Sequence, residues 1–141
     1  MSKTKIISVL IFALFACQFL LPADSECADT TGIEEISGSI VEDILQGIKT
    51  GDYAKYSKDF SQHLKAAIPE SKFRDISIDF TSQFGEYLSK EFLEARDNTS
   101  FIAVFYRAKF SKENQEVIVK VNLERVDDYV YVMGISFEPT N

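Results

Sequence analysis

The sequence predicts an α+β domain in which helices come first and an antiparallel sheet follows, and three observations carry that prediction. From Phe101 to Glu138 apolar residues recur at every second position in three consecutive runs, the period of strands with a covered face. From Ile33 to Ile48 isoleucines recur at three- and four-residue steps, the period of an amphipathic helix. Between these regions Pro69 and Gly85 bracket a second helical stripe of Phe73, Ile76 and Phe80, with proline suited to opening a helix and glycine to closing one.

The chain begins with Lys3 and Lys5 and no acid, followed by an almost wholly apolar run from Ile6 to Leu21 and then Pro22. This is the pattern of a secretory signal peptide, residues 1–27, with cleavage between residues 23 and 28. A second reading competes: Leu14, Phe15, Ala16, Cys17 is similar to a bacterial lipoprotein box, which would anchor the chain to a membrane through an acylated Cys17. Against it, Phe15 is bulky where a small residue is usual, and the apolar run continues past Cys17 through Leu21. Cys17 leaves with the signal, and Cys27 is either removed or left on a tail, so the mature domain is expected to hold no internal disulfide. One domain, residues 30–141, remains, and about 110 residues suffice for a single core and no more. The formal charge of -7 becomes more negative once Lys3 and Lys5 are lost. Nucleic acid and anionic membrane surfaces are therefore excluded as partners, except for a membrane reached through a lipid at Cys17.

The first helix is expected over Thr31 to Lys49. Ile33, Ile36, Ile40, Ile44 and Ile48 form its buried stripe, widened by Val41 and Leu45. Thr31 with Glu34 fits a capping box, and Gly51 fits the left-handed position after a helix. Gly38 and Gly47 each weaken the helix by up to about 1 kcal/mol relative to alanine, which implies close packing against both. Asp52 to Lys58 reads as a short helix with Tyr53 and Tyr56 on one side, and Phe60 to Ile68 continues helically with Phe60, Leu64, Ala67 and Ile68 inward. The third long element, Pro69 to Ser82, ends at Phe84 and Gly85.

In the sheet region Phe101 to Phe110, Glu116 to Val126 and Tyr129 to Phe137 read as an antiparallel meander, joined by the polar loop Ser111 to Gln115 and a short turn at Asp127 and Asp128. Register decides which side chains share a face. A two-residue turn would set Val121 opposite Gly134. A three-residue loop that includes Tyr129 would set Leu123 opposite Met133 and Val121 opposite Ile135, and is preferred because it unites the apolar sets. Glu86 to Arg96 stays ambiguous on its own residues: its Leu, Lys, Glu and Ala content favours a helix, while the polar turn Asp97 to Ser100 sits where a hairpin would need it.

A resemblance settles that ambiguity. Helix one ending in Thr50, Gly51, Asp52 and Tyr53, then Phe60, the Gly85, Glu86, Tyr87 corner, the run Tyr106 to Phe110 and the closing Val132 to Pro139 resemble a secreted prokaryotic domain of unknown function in the nuclear-transport-factor-2-like (cystatin-like) superfamily. The resemblance covers about Ser39 to Pro139 and rests on fold-forming positions. It implies that Glu86 to Arg96 is a strand. The expected architecture is then three N-terminal helices packed on a curved four-stranded antiparallel sheet, a cone in whose apex, as the resemblance implies, members of the superfamily place small ligands or catalytic groups.

Candidate lining residues for that interior are Tyr53, Tyr56, Phe73, Phe80, Phe84, Tyr106 and Tyr131. Phenylalanines at these positions suit ordinary core, whereas a buried tyrosine hydroxyl requires a partner. No catalytic residue is assigned. His63 has Asp59 one turn away but falls among polar neighbours, and Asp75 and Asp79, likewise four apart, fall off the Phe73, Ile76, Phe80 stripe, so solvent exposure is expected. With one histidine and no cysteine pair in the mature domain, no metal site or cofactor is expected. Asn98, Thr99, Ser100 matches a glycosylation acceptor and reads as a turn.

Two classes of function remain. The first is a non-catalytic extracytoplasmic module, secreted or periplasmic, that binds a small apolar or amphipathic ligand or a protein partner. The alternative is a small cone-pocket enzyme of isomerase, dehydratase or hydrolase type, which would need a buried acid or base. Sheet-to-sheet homodimerisation, common in the superfamily, would cover an apolar outer face on Phe101, Ala103 and Phe105.

Overall fold

A computed structural model describes residues 27–112 and 116–140. The signal segment with Cys17, and residues 113–115 of the Ser111 to Gln115 loop, lie outside them. Residues Ile33–Asn141 form one compact unit. Its elements are α1 (Cys27–Thr50), α2 (Tyr53–Tyr56), α3 (Gln62–Ala67), α4 (Glu70–Phe84), β1 (Tyr87–Asp97), β2 (Ile102–Phe110), β3 (Glu116–Val126) and β4 (Tyr129–Pro139). The strands form a single antiparallel meander in the order β1-β2-β3-β4, so the α+β architecture with a four-stranded sheet holds.

Helix α1 already includes the four residues before the expected Thr31, Cys27 among them. Nothing between Cys27 and Thr31 is a glycine or proline, so no residue there stops the helix, and Thr31 is interior rather than the cap. Ile33, Ile40, Val41, Ile44, Leu45 and Ile48 are buried as the stripe requires, while Ile36 is 40% exposed. The C-terminus closes as predicted: Gly51 has φ +69, and the Asp52 N–H donates to the Gly47 carbonyl at 2.9 Å, the six-to-one bond of a Schellman motif.

Asp52 then caps α2, its side chain accepting from the Lys55 N–H at 3.1 Å. Phe60 does not continue into a helix. It forms a parallel bridge with Val132, flanked by hydrogen bonds from the Val132 N–H to the Asp59 carbonyl at 2.8 Å and from the Ser61 N–H to the Val132 carbonyl at 2.9 Å. Those bonds cover part of the free edge of β4, a position that would otherwise invite pairing with another chain. Helix α3 begins only after this bridge, with Ser61 as its cap, and its Ala67, expected inward, is exposed. On α4 the buried residues are Phe73, Ser77, Phe80 and Phe84, with Ile76 half-buried.

Strand β1 explains why its sequence reads as a helix. Register shifts between Tyr87 and Ser89 and between Phe92 and Glu94 insert Leu88 and Leu93 as extra residues, so the side chains turned to the core are Tyr87, Phe92 and Ala95, joined by Lys90. Steps of three, two and three replace strict alternation, and a three-residue step is what a helix also shows. Phe92 is held against Tyr106 with ring centroids 5.4 Å apart, and this packing overrides propensity.

The turn between β3 and β4 is two residues long, not three: Val126 pairs with Tyr129, and Leu123 pairs with Val132 rather than Met133. A bulge at Met133 then restores the alignment of Val121 with Ile135. Core-facing positions on β4 are accordingly Val130, Val132, Ile135 and Phe137. Tyr129, Tyr131 and Met133 are left exposed at 69%, 37% and 44%.

Candidate functional site

The inner face of the sheet is filled. Val104, Ala108, Val117, Val119, Val121 and Val132 have no accessible surface at all, and Leu123 has 1%. A side chain that no water-sized sphere can touch lines no cavity, so α1 and α4 sit directly on these strands. Two polar residues interrupt the helical stripes here, and both are satisfied. Ser37, fully buried, shares a 2.8 Å hydrogen bond with the Tyr106 hydroxyl, which also donates to the Glu34 carbonyl at 3.1 Å. Ser77 donates to the Ile48 carbonyl at 2.8 Å. Burial, opposed by the Ser37 hydrogen bond and aided by the nearby Glu34 charge, raises the Tyr106 pKa, so its hydroxyl keeps its proton.

The predicted lining residues separate into four places. Tyr53, Tyr56 and Phe73 cluster, with Phe73 5.5 Å from Tyr53 and 4.5 Å from Tyr56 between centroids. Phe80 and Phe84 pack against each other and against Phe110, and Phe80 also meets Phe137 at 4.9 Å. Tyr106 lies under α1 as described. Tyr131 belongs to none of these: it stands on the opposite face beside Tyr129, ring centroids 6.3 Å apart, because the two-residue turn fixes its parity before the bulge can correct it.

At the border between α1 and β1 lies a polar cluster that the sequence reading missed. Glu42 Oε2 accepts from Lys90 Nζ at 2.7 Å and from the Tyr87 hydroxyl at 2.8 Å, while Glu42 Oε1 accepts from Gln46 Nε2 at 3.1 Å. Burial pushes the Glu42 carboxyl up, but the hydrogen bonds from Lys90, Gln46 and Tyr87 and the Lys90 charge outweigh it and hold the pKa below its ordinary value. Burial first, then the bond to Glu42, raises the Tyr87 hydroxyl. A carboxylate tied to three donors is a poor base, and a tyrosine that keeps its proton is a poor nucleophile. The cluster is a clasp between helix and edge strand, and its Lys90 was hidden by the bulged spacing of β1.

His63, Asp75 and Asp79 are exposed. Asp59 is half-buried, and burial together with the Asp43 charge raises its pKa against the pull of Lys58 and Lys65.

Open volume does occur on the flank, where the end of α1, the start of α2 and the first half of α4 meet. A pocket of about 160 Å³ is lined by Gly51, Tyr53, Phe73 and Ser77, with Glu70, Arg74 and Ile78 completing it. Phe73 is its floor at 2% exposure, and Ile78 stands at the rim, 62% exposed. Two of the seven predicted residues, Tyr53 and Phe73, therefore line a pocket, though on the flank and not inside a cone. Arg74 and Glu70 gave no signal in the sequence because exposed charges one turn apart are ordinary on any helix.

On the outer face of the sheet Ala103 is buried and Phe101 and Phe105 are half-buried. The Phe105 ring lies beneath the Arg96 guanidinium at 4.9 Å and the Lys120 ammonium at 5.8 Å. Arg107 beside it is flanked by Glu91 and Glu116. Around Phe105 this face carries charge, while Tyr129, Tyr131 and Met133 remain exposed on it.

These features define a helix-on-sheet α+β domain with a solid core and an external pocket. The chain belongs to the family described as a protein of unknown function (DUF3887), whose model matches residues 41–137. Among solved structures it is similar to the one titled "Structure of Bdellovibrio bacteriovorus Bd1075", at 11% identity and a TM-score of 0.47, over 76% of this chain and 40% of that one. The chain thus spans less than half the length of that protein. No curated protein matches it.

Proposed function

We propose that the chain is a non-catalytic extracytoplasmic binding module of nuclear-transport-factor-2-like fold, which meets a small amphipathic ligand or a protein partner on its outside, at the pocket between α1, α2 and α4. The observation that carries this reading is the filled inner face. A ligand or a reaction inside the cone would need open volume at Val104, Val119 and Val121, which have no accessible surface. Among the described residues the enzyme alternative finds no free acid or base at the cone or the pocket: Glu42 is engaged by three donors, His63, Asp75 and Asp79 are exposed, and the half-buried Asp59 is not part of the pocket lining. The order of helices before a four-stranded antiparallel meander supports the superfamily assignment. A homodimer through the outer face would meet the Arg96 and Lys120 cations over Phe105 together with the exposed Tyr129, Tyr131 and Met133.

The lysine-flanked apolar run from Ile6 to Leu21 supports export, with the mature chain starting between residues 24 and 28. An acylated Cys17 at the mature N-terminus would replace the secreted form with an anchored one. Binding is tested by amide chemical-shift mapping with phenol, indole and benzylamide as probes. Saturable shifts are expected at Gly51, Phe73 and Ser77. Saturable shifts confined to the inner strands at Val119 and Leu123 would return the site to the cone and overturn the reading.

A further inference from the structure

Resting on that reading, we infer that the flank pocket is a site for a zwitterionic apolar α-amino acid, either free or as the like-charged head of a larger molecule, with its side chain on Phe73 and its carboxylate and ammonium at Arg74 and Glu70. Size comes first. The pocket holds about 160 Å³, close to the roughly 150 Å³ that an apolar protein cavity needs to take up benzene. One aromatic ring or one branched aliphatic side chain fits against Tyr53 and Ile78, above the edge of Phe73 at the bottom of the pocket.

Polar chemistry then narrows the occupant. The Tyr53 hydroxyl is spent on the Ile68 carbonyl at 2.8 Å, and the Ser77 hydroxyl on the Ile48 carbonyl at 2.8 Å. Neither hydroxyl has a proton left to donate to a guest, which leaves Arg74 and Glu70 as the charged side chains of the lining. They sit one helical turn apart on α4, and among the described residues neither has an ion pair or a side-chain hydrogen bond. A lone anion drawn to Arg74 would meet the Glu70 charge, and a lone cation drawn to Glu70 would meet Arg74. A molecule with a carboxylate and an ammonium on neighbouring atoms satisfies both, with the guanidinium free to grip the carboxylate through two parallel bonds. An apolar side chain on the same carbon occupies the floor.

The test is amide shift titration of the mature chain with L-phenylalanine, 3-phenylpropanoate and phenethylamine, which share the ring and carry both charges, the negative one or the positive one. L-phenylalanine is expected to shift Gly51, Phe73, Arg74 and Ser77 saturably and to bind at least about ten-fold more tightly than either single-charge probe, the effect of losing one charged hydrogen-bond partner. Arg74→Gln and Glu70→Gln, both at exposed positions, should each remove about that ten-fold preference while leaving the spectrum elsewhere unchanged. Equal binding of the three probes in this pocket would overturn the inference and leave the binding module standing. Shifts by L-phenylalanine that map elsewhere, or no shift by any of the probes, would overturn it as well, and no shift by any aromatic probe used here would take the binding pocket with it.

Discussion

Replacing Gly47 by alanine sets a helix preference against a steric clash, and the structure fixes which wins. A methyl group at Gly47 would lie 2.7 Å from the Tyr56 nitrogen and 2.8 Å from both its Cα and Cβ. These are mostly backbone atoms and cannot swing aside. Tyr56 is also anchored, 2% exposed, with its ring 4.9 Å from Phe60 and 4.5 Å from Phe73 and its N–H donating to the Asp52 carbonyl at 3.0 Å. Alanine gains about 1 kcal/mol in helix propensity, while forcing extra volume into a packed site costs about 1–3 kcal/mol and more where backbone must shift. Because backbone atoms are struck here the upper part of that cost applies, and the net expectation is a loss of about 1–2 kcal/mol. Gly38 on the same helix is the control: its added methyl would meet the Tyr106 hydroxyl oxygen at 3.5 Å, an ordinary contact, so Gly38→Ala should be neutral or stabilising by up to about 0.8 kcal/mol. Urea unfolding reads both, with the midpoint moving in opposite directions at unchanged slope. Gly47→Ala as stable as Gly38→Ala would refute the close approach of α1 and α2.

Two further predictions concern pH. The Glu42 pKa is held below its ordinary value, so the stability it contributes is present above the unfolded-state value and is lost as pH falls through the folded one; Glu42→Gln should flatten the acid limb of the stability profile and lower stability at neutral pH, measured by thermal melts across pH. On the alkaline side, burial pushes the Tyr56 hydroxyl up to about 12, and those of Tyr87 and Tyr106 are raised too, chiefly by burial. Their contribution is complete below the unfolded tyrosine value and is lost as pH rises through the folded ones, so a spectrophotometric tyrosinate titration should show three of the six tyrosines ionising together with alkaline unfolding.

The elements that follow a single period were legible in the sequence. The Ile33 to Ile48 stripe and the alternation of Val117, Val119, Val121 and Leu123 give α1 and β3 directly, because each has one uninterrupted buried face. Where a bulge intervenes, periodicity misleads. Leu88 and Leu93 turn β1 into a three-residue rhythm that reads as a helix, and Met133 splits β4 into two parities, so that no single loop length at Asp127 and Asp128 reproduces the pairing. Phe60 reads as helical because its bridge partner, Val132, is 72 residues away in sequence and leaves no local mark. The candidate site was legible only through its floor, Tyr53 and Phe73. Ser37 and Ser77 break the buried faces of α1 and α4 without standing out in the sequence, and their hydrogen bonds, to Tyr106 and Ile48, make them packing elements.

Everything proposed for this protein depends on its interior being solid, and a crystal of the mature chain held under xenon pressure tests that most directly. Apolar cavities large enough for a small guest take up xenon. The structure predicts no xenon between α1 and the sheet within contact of Val104, Val119, Val121 or Leu123, all at 0–1% exposure. Xenon bound among those side chains would mean a hollow cone, and would contradict the account.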